Sequence, residues 1–168
     1  MVDFGNADFR NSKQMQPIKR SKQLAPFSRE HHEALIFLLR IKQGLKNGTA
    51  ISVISDYIKW FWANHLKHHF EQEDMLLLPN LSAGDEMATR LKNEHETIRS
   101  IVSKELKEKD IALFSDQLNA HIRFEEREFF PYAEKNIPIG QLNDIFSKLD
   151  HDIQCQTTWE QAFWANKR

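Results

Sequence analysis

The 168 residues of the chain suffice for one well-buried domain, and 23 basic against 24 acidic residues, interspersed rather than blocked, leave no electrostatic footprint for nucleic acid or an anionic membrane. One cysteine, Cys155, excludes an internal disulfide, and with no charged-then-apolar leader the expected location is the cytoplasm. The longest apolar runs, such as 34–39 and 75–79, fall far short of the ~20 residues that cross a bilayer, and five Gly and five Pro without alternating β-branched runs favour helix over sheet.

Residues 1–26 are polar, carry Pro17 and Pro26 and show no sustained period, so they read as an N-terminal arm that either wraps the domain or stays mobile. Ser28 is a candidate N-cap for a first helix, whose stripe of His31/His32, Leu35, Leu38/Leu39 and Leu45 runs to a stop at Asn47-Gly48. Thr49 is the candidate cap of a long second helix. In it Ile51, Ile54, Ile58, Trp62, His65, His69, Glu73 and Leu76 advance by threes and fours to Pro79, and the stripe turns from aliphatic to ionisable halfway.

After a turn at 80–84, Met87, Leu91, His95, Ile98, Val102 and Leu106 predict a third helix with one histidine in its apolar stripe. The stripe resumes beyond Lys109-Asp110 as Ile111, Phe114, Leu118, His121, Glu125, Phe129 and Tyr132, a fourth helix that the short connection makes antiparallel to the third. Pro138 permits a fifth, with Leu142, Ile145/Phe146, Leu149 and Ile153 on one face and Trp159, Phe163 and Trp164 at its end. It is expected to lie on the bundle or on a second subunit, as in a homodimer. The expected organisation is all-α: an arm over 1–26, a four-helix bundle over 27–137 and a C-terminal helix over 138–168.

The segments HFEQEDMLLLP (from His69) and HIRFEEREFFP (from His121) repeat a His, a Glu four later and a Pro six beyond that. Both His–Glu pairs lie at i, i+4 on the inward face, where burial of such groups costs free energy unless they are paired. With His95 and with His31 or His32, four imidazoles and two carboxylates can converge from four helices. A metal site neutralises that cost, and the set exceeds what one structural zinc takes. Two metal ions fit, each with two histidines and with Glu73 and Glu125 bridging; mixed N/O ligation points to non-haem iron, with manganese or zinc as alternatives. Pro79 and Pro131 are expected to end the two ligand helices at equivalent places.

The stretches SREHHEAL (28–35), HFEQEDMLLLP (69–79), NEHETI (93–98) and HIRFEEREFFP (121–131) together resemble the four motif segments of the hemerythrin-like, or HHE cation-binding, family. The resemblance implies an up-down four-helix bundle around a di-iron centre with a bridging oxo or hydroxo group. Its ligands would be the SREHH histidine, His69, Glu73, His95, His121 and Glu125. Oxygen-carrying members have His-x-x-x-His on the third helix and an Asp on the fourth, whereas here Arg99 follows His95 and the fourth helix offers Glu125. The four-His, two-Glu set is similar to that of the intracellular branch linked to repair of iron centres and to iron or oxygen sensing.

Downstream spacing favours His32 as the first ligand, since Leu35, Leu38 and Leu39 reproduce Ile98, Ile101 and Val102; a preceding Glu favours His31, and of the two His32 is preferred. His65 is read as a hydrogen-bonding neighbour of the ligands or an extra ligand. His68, Glu71, Asp74, Glu126 and Glu128 are expected to face water, His151 and Cys155 to be spectators, and Trp62 to help keep the site dry. The function expected is binding of, or response to, a small ligand such as O2, NO or peroxide, with no redox partner named by any motif. The alternative is an iron- or oxygen-responsive regulatory module without turnover.

Overall fold

The structure, a computed structural model, describes residues 19–149 and 158–165. Helix α1 (Ala25–Lys46) begins ahead of the expected cap: Leu24 stands at the N-cap with no side-chain bond, and Pro26 occupies the first turn, where its missing N–H would have no partner in any case. The Ser28 hydroxyl is thereby free to donate to Glu126 Oε1 at 2.7 Å. The helix stops as expected, with Gly48 at φ 69°, a left-handed conformation that a Cβ would strain. Thr49 does not cap either; its hydroxyl donates to the Phe163 carbonyl at 3.4 Å.

Helix α2 (51–80) is one helical run with two π turns, Trp62–Leu66 and Glu73–Leu77, and a closing 3-10 turn, Leu78–Asn80. Helix α3 (Glu86–Val102) is capped by Asp85, which accepts from the Ala88 N–H at 2.9 Å and from the Tyr132 hydroxyl. Helix α4 (108–136) carries a third π turn at Glu125–Phe129, and α5 (Ile139–Lys148) follows Pro138. These helices form an up-down bundle with α5 packed on its second apolar cluster, and no helix among the described residues is long and apolar enough to cross a membrane.

The π turns correct the expected role of the prolines. At each repeat the wide bond spans five residues, from the Leu78 N–H to the Glu73 carbonyl and from the Phe130 N–H to the Glu125 carbonyl, with the proline next. In an α-helix a proline removes a bond to the carbonyl four earlier and its ring clashes there; the wider turn relieves that crowding. Pro79 does precede a stop at Asn80, but Pro131 does not end its helix, which continues to Asn136.

Two apolar clusters fill the bundle. One centres on Phe37, Tyr57, Phe61 and Phe114, the other on Phe27, Leu77, Phe124, Phe129 and Phe130. Helix α5 adds Leu142, Ile145 and Leu149 to the second, so it packs on its own bundle. It is shorter than expected: Leu149 is already extended, and Ile153 lies outside the described residues. Trp159, Phe163 and Trp164 are not helical and pack on the first cluster instead, with Phe163 and Trp164 edge-on or tilted against Tyr57 at 5.1 and 5.4 Å. Asn47 Nδ2 donates to the carbonyls of Phe163 and Ala165, and the ring of Phe163 lies so close to Gly44 that a Cβ there would overlap it. Of the N-terminal arm, residues 19–24 wrap the bundle: Arg20 pairs with Glu126, and the Ser21 N–H donates to Glu134.

Gly44→Ala should therefore destabilise the protein by roughly 1–3 kcal/mol through overpacking. In a Phe163→Ala background the same change should cost almost nothing, as denaturant titration of the four proteins would show.

Candidate metal centre

Between the two apolar clusters lies a polar layer. His31 from α1, His69 and Glu73 from α2, His95 from α3, and His121 and Glu125 from α4 are all at most 4% exposed. Their inner atoms form two groups, His31/His69/Glu73/Glu125 and Glu73/His95/His121/Glu125, in each of which the candidate ligand atoms lie within 4.8 Å of one another. His31 Nε2 is 2.8 Å from Glu125 Oε2 and 3.1 Å from His69 Nε2, and His95 Nε2 is 3.2 Å from Glu73 Oε2. His121 Nε2 is 3.3 Å from Glu125 Oε1.

Despite these approaches, both oxygens of Glu73, both of Glu125 and Nε2 of His95 and of His121 are buried without a directed hydrogen bond. Buried polar atoms left in that state cost about 1–3 kcal/mol each. Atoms that crowd to about 3 Å yet do not point at one another are placed as ligands of a shared cation are, since metal–ligand distances of about 2.0–2.2 Å give such spacings. The donor set of four imidazoles and two carboxylates therefore fits metal cations.

The preference for His32 is corrected. His32 is exposed, whereas His31 is 3% exposed and inside the layer. The leucines used to align His32 mislead because Leu35 and Leu39 are themselves exposed, at 42% and 65%, while Ala34, Phe37 and Ile41 form the buried stripe of α1.

Outside the layer each histidine is held by a second carboxylate on Nδ1. Glu126 accepts from His31 at 2.7 Å, Asp74 from His95 at 2.7 Å and Glu94 from His121 at 3.0 Å; Glu30 accepts from His69. A carboxylate on Nδ1 fixes the tautomer and turns the Nε2 lone pair inward. Asp74 and Glu126, expected to face water, are thus turned to the site, and Glu30 and Glu94 were not anticipated. A signal for them existed: each lies next to a layer residue, as Glu30-His31, Glu73-Asp74, Glu94-His95 and Glu125-Glu126. Glu71 and Glu128 do face solvent, near Lys67 and Arg90.

His65 makes no hydrogen bond to the layer. The π turn Trp62–Leu66 moves it out of register with His69, and its ring stacks on Phe61 at 4.5 Å, lining a cavity that His68 also lines. Burial depresses its imidazolium, more than Glu33 and Glu30 support it. Trp62 lies edge-on to Phe70, which is stacked on His95 at 4.1 Å.

The layer demands positive charge. Burial opposes the His31 imidazolium, yet Glu125, Glu126 and Glu73 push it up to about 10; His95, likewise opposed by burial, is pushed up to about 11 by Asp74, Glu125 and Glu73. Burial and the charge of Glu125 raise Glu73, whereas His121 and His31 overcome burial and hold Glu125 well below the carboxylate range. Glu126, with His31, Ser28 and Arg20 outweighing burial, is held down to about 2.

An all-helical bundle with this layer is a protein of the cation-binding kind. The family model of the hemerythrin HHE cation binding domain matches residues 24–133, and the chain belongs to that family. Comparison with curated proteins and with solved structures gave no match.

His31→Ala should reduce the metal retained per chain after gel filtration, while His32→Ala should leave it unchanged. Asp74→Asn and Glu126→Gln should each weaken metal affinity by about 10–100-fold in a competitive chelator titration, with all six layer residues intact.

Proposed function

We propose that the chain holds a pair of non-haem iron ions and binds or responds to a small ligand such as O2, NO or peroxide. The observation that supports this reading best is the overlap of two four-residue groups that share Glu73 and Glu125. His31 and His69 would serve one ion and His95 and His121 the other, with both carboxylates common to the two. The bridging oxo or hydroxo group that the resemblance implies belongs to the same proposal. Bound iron would supply redox electrons and open coordination positions for the ligand.

The chain's own residues keep the imidazoles aimed and the layer dry. The four outer carboxylates hold the Nδ1 protons, Phe70 covers His95, and Phe130 lies parallel to His31 at 5.4 Å. Arg99, which stands where oxygen carriers have a further histidine, donates to Asp74 Oδ2 at 2.6 Å and so belongs to the outer ring. That placement supports the four-His, two-Glu set and a role in iron handling, repair of iron centres or sensing over simple oxygen carriage.

A second reading, a regulatory module without turnover, rests on the ring's connectivity. Its four hydrogen bonds join α1 to α2, α2 to α3, α3 to α4 and α4 to α1, so metal occupancy couples to every neighbouring helix contact.

Aerobically purified protein should contain about two irons per chain and show visible absorption of an iron–oxygen chromophore; folded, colourless, metal-free protein would overturn both readings. Peroxide and nitric oxide turnover that Glu73→Ala abolishes would favour the first. Iron-dependent protection from limited proteolysis without turnover would favour the second.

A further inference from the structure

A cavity of about 360 Å3 opens between α1, α2 and α4, and its lining runs from Glu33, exposed on α1, inward to His31, His69 and His121. His95 does not line it and lies under Phe70. The outer ring is uneven in the same direction. Arg99 holds Asp74 at 2.6 Å, Arg90 holds Glu94 at 2.8 Å and Arg20 holds Glu126 at 2.8 Å. Glu30 has no arginine or lysine partner among the described residues, and its side chain is 41% exposed against 21–24% for the other three. It also lines the cavity, as does His68, whose buried Nε2 has no hydrogen-bond partner among the described residues.

We propose that this cavity is the port through which a divalent cation reaches and leaves the layer, with His65 and Glu33 at its mouth and Glu30 drawing the cation in. The proposal rests on the cation-binding reading of the layer but on no particular metal or small ligand. Two carboxylates raise the local cation concentration at the mouth, and the oxygen and nitrogen donors along the wall replace lost water. His65 suits a mouth residue because ring contacts hold it, stacked on Phe61 and edge-on to Trp60, and its ring can turn without breaking a hydrogen bond to the layer. Glu30, without an arginine, can release His69 where the other three carboxylates are locked.

A port changes the rates of uptake and release together and leaves the end states alone. The test uses the full chain stripped of metal, with cobalt(II) uptake followed by stopped-flow absorption and release followed into excess EDTA. His65→Trp and Glu33→Trp, each placing bulk at the mouth, should slow both rates at least tenfold, with cobalt per chain and equilibrium affinity unchanged. His65→Ala should keep uptake at or above the wild-type rate. Glu33 is exposed, so its variant should fold and decides the matter should His65→Trp lose its helical signal. Unaltered rates in a folded Trp variant, or a change in affinity in place of the paired rate change, would overturn the port. A wild-type chain that takes up no cobalt would remove the cation-binding reading and the port with it.

Discussion

Placing two carboxylates and four imidazoles in the middle of a helical core is the constraint on which the rest of this molecule depends. Charge in such a place is tolerated only when it is answered nearby, and the answer here comes in shells. Glu73 and Glu125 lie innermost, the four histidines surround them, four carboxylates surround the histidines, and Arg20, Arg90 and Arg99 brace three of those. Carboxylates, imidazoles, carboxylates and guanidinium groups thus alternate from the centre outward. The apolar clusters flank the layer on either side, and the cavity lined by Glu30 and Glu33 is where it comes nearest to solvent.

The two halves of the chain build this arrangement by the same rule. Glu30 and Glu94, Asp74 and Glu126, and the π turns after Glu73 and Glu125 are counterparts under a pseudo-twofold that exchanges α1 with α3 and α2 with α4. Departures from the rule are local. Phe70 follows His69 where Ile122 follows His121, one ligand helix stops after its proline while the other continues, and one outer carboxylate has no arginine partner among the described residues. A near-symmetric frame with an unsymmetric lining gives two similar half-sites with different surroundings.

The helices, their order and five of the six layer residues were legible because burial imposes a period, and an ionisable residue in phase with that period stands out. What escaped depends on partners distant in sequence. Ser28 and Thr49 look like caps by local chemistry, but a carboxylate on α4 and a carbonyl in the C-terminal segment take their hydroxyls. The first π turn shifts the phase of α2 between His65 and His69, a change to which a count of threes and fours is blind. Leucine spacing points to His32 because leucines ordinarily mark a core stripe, whereas the core stripe of α1 is alanine, phenylalanine and isoleucine. The outer ring was missed because an acidic residue beside a buried one is ordinarily on the wet side of a helix.

Arg20 lies ahead of the stretch that matches the family, yet its guanidinium reaches both the carboxylate and the carbonyl of Glu126 and sits 5.0 Å from the centre of the Phe130 ring, the ring that lies parallel to His31. The domain as a unit of descent and the domain as a unit of electrostatics therefore have different borders. A fragment trimmed to 24–133 would keep every inner donor and still lose a counter-charge for the carboxylate that orients His31, so the electrostatic surroundings of that histidine reach into the segment before the first helix.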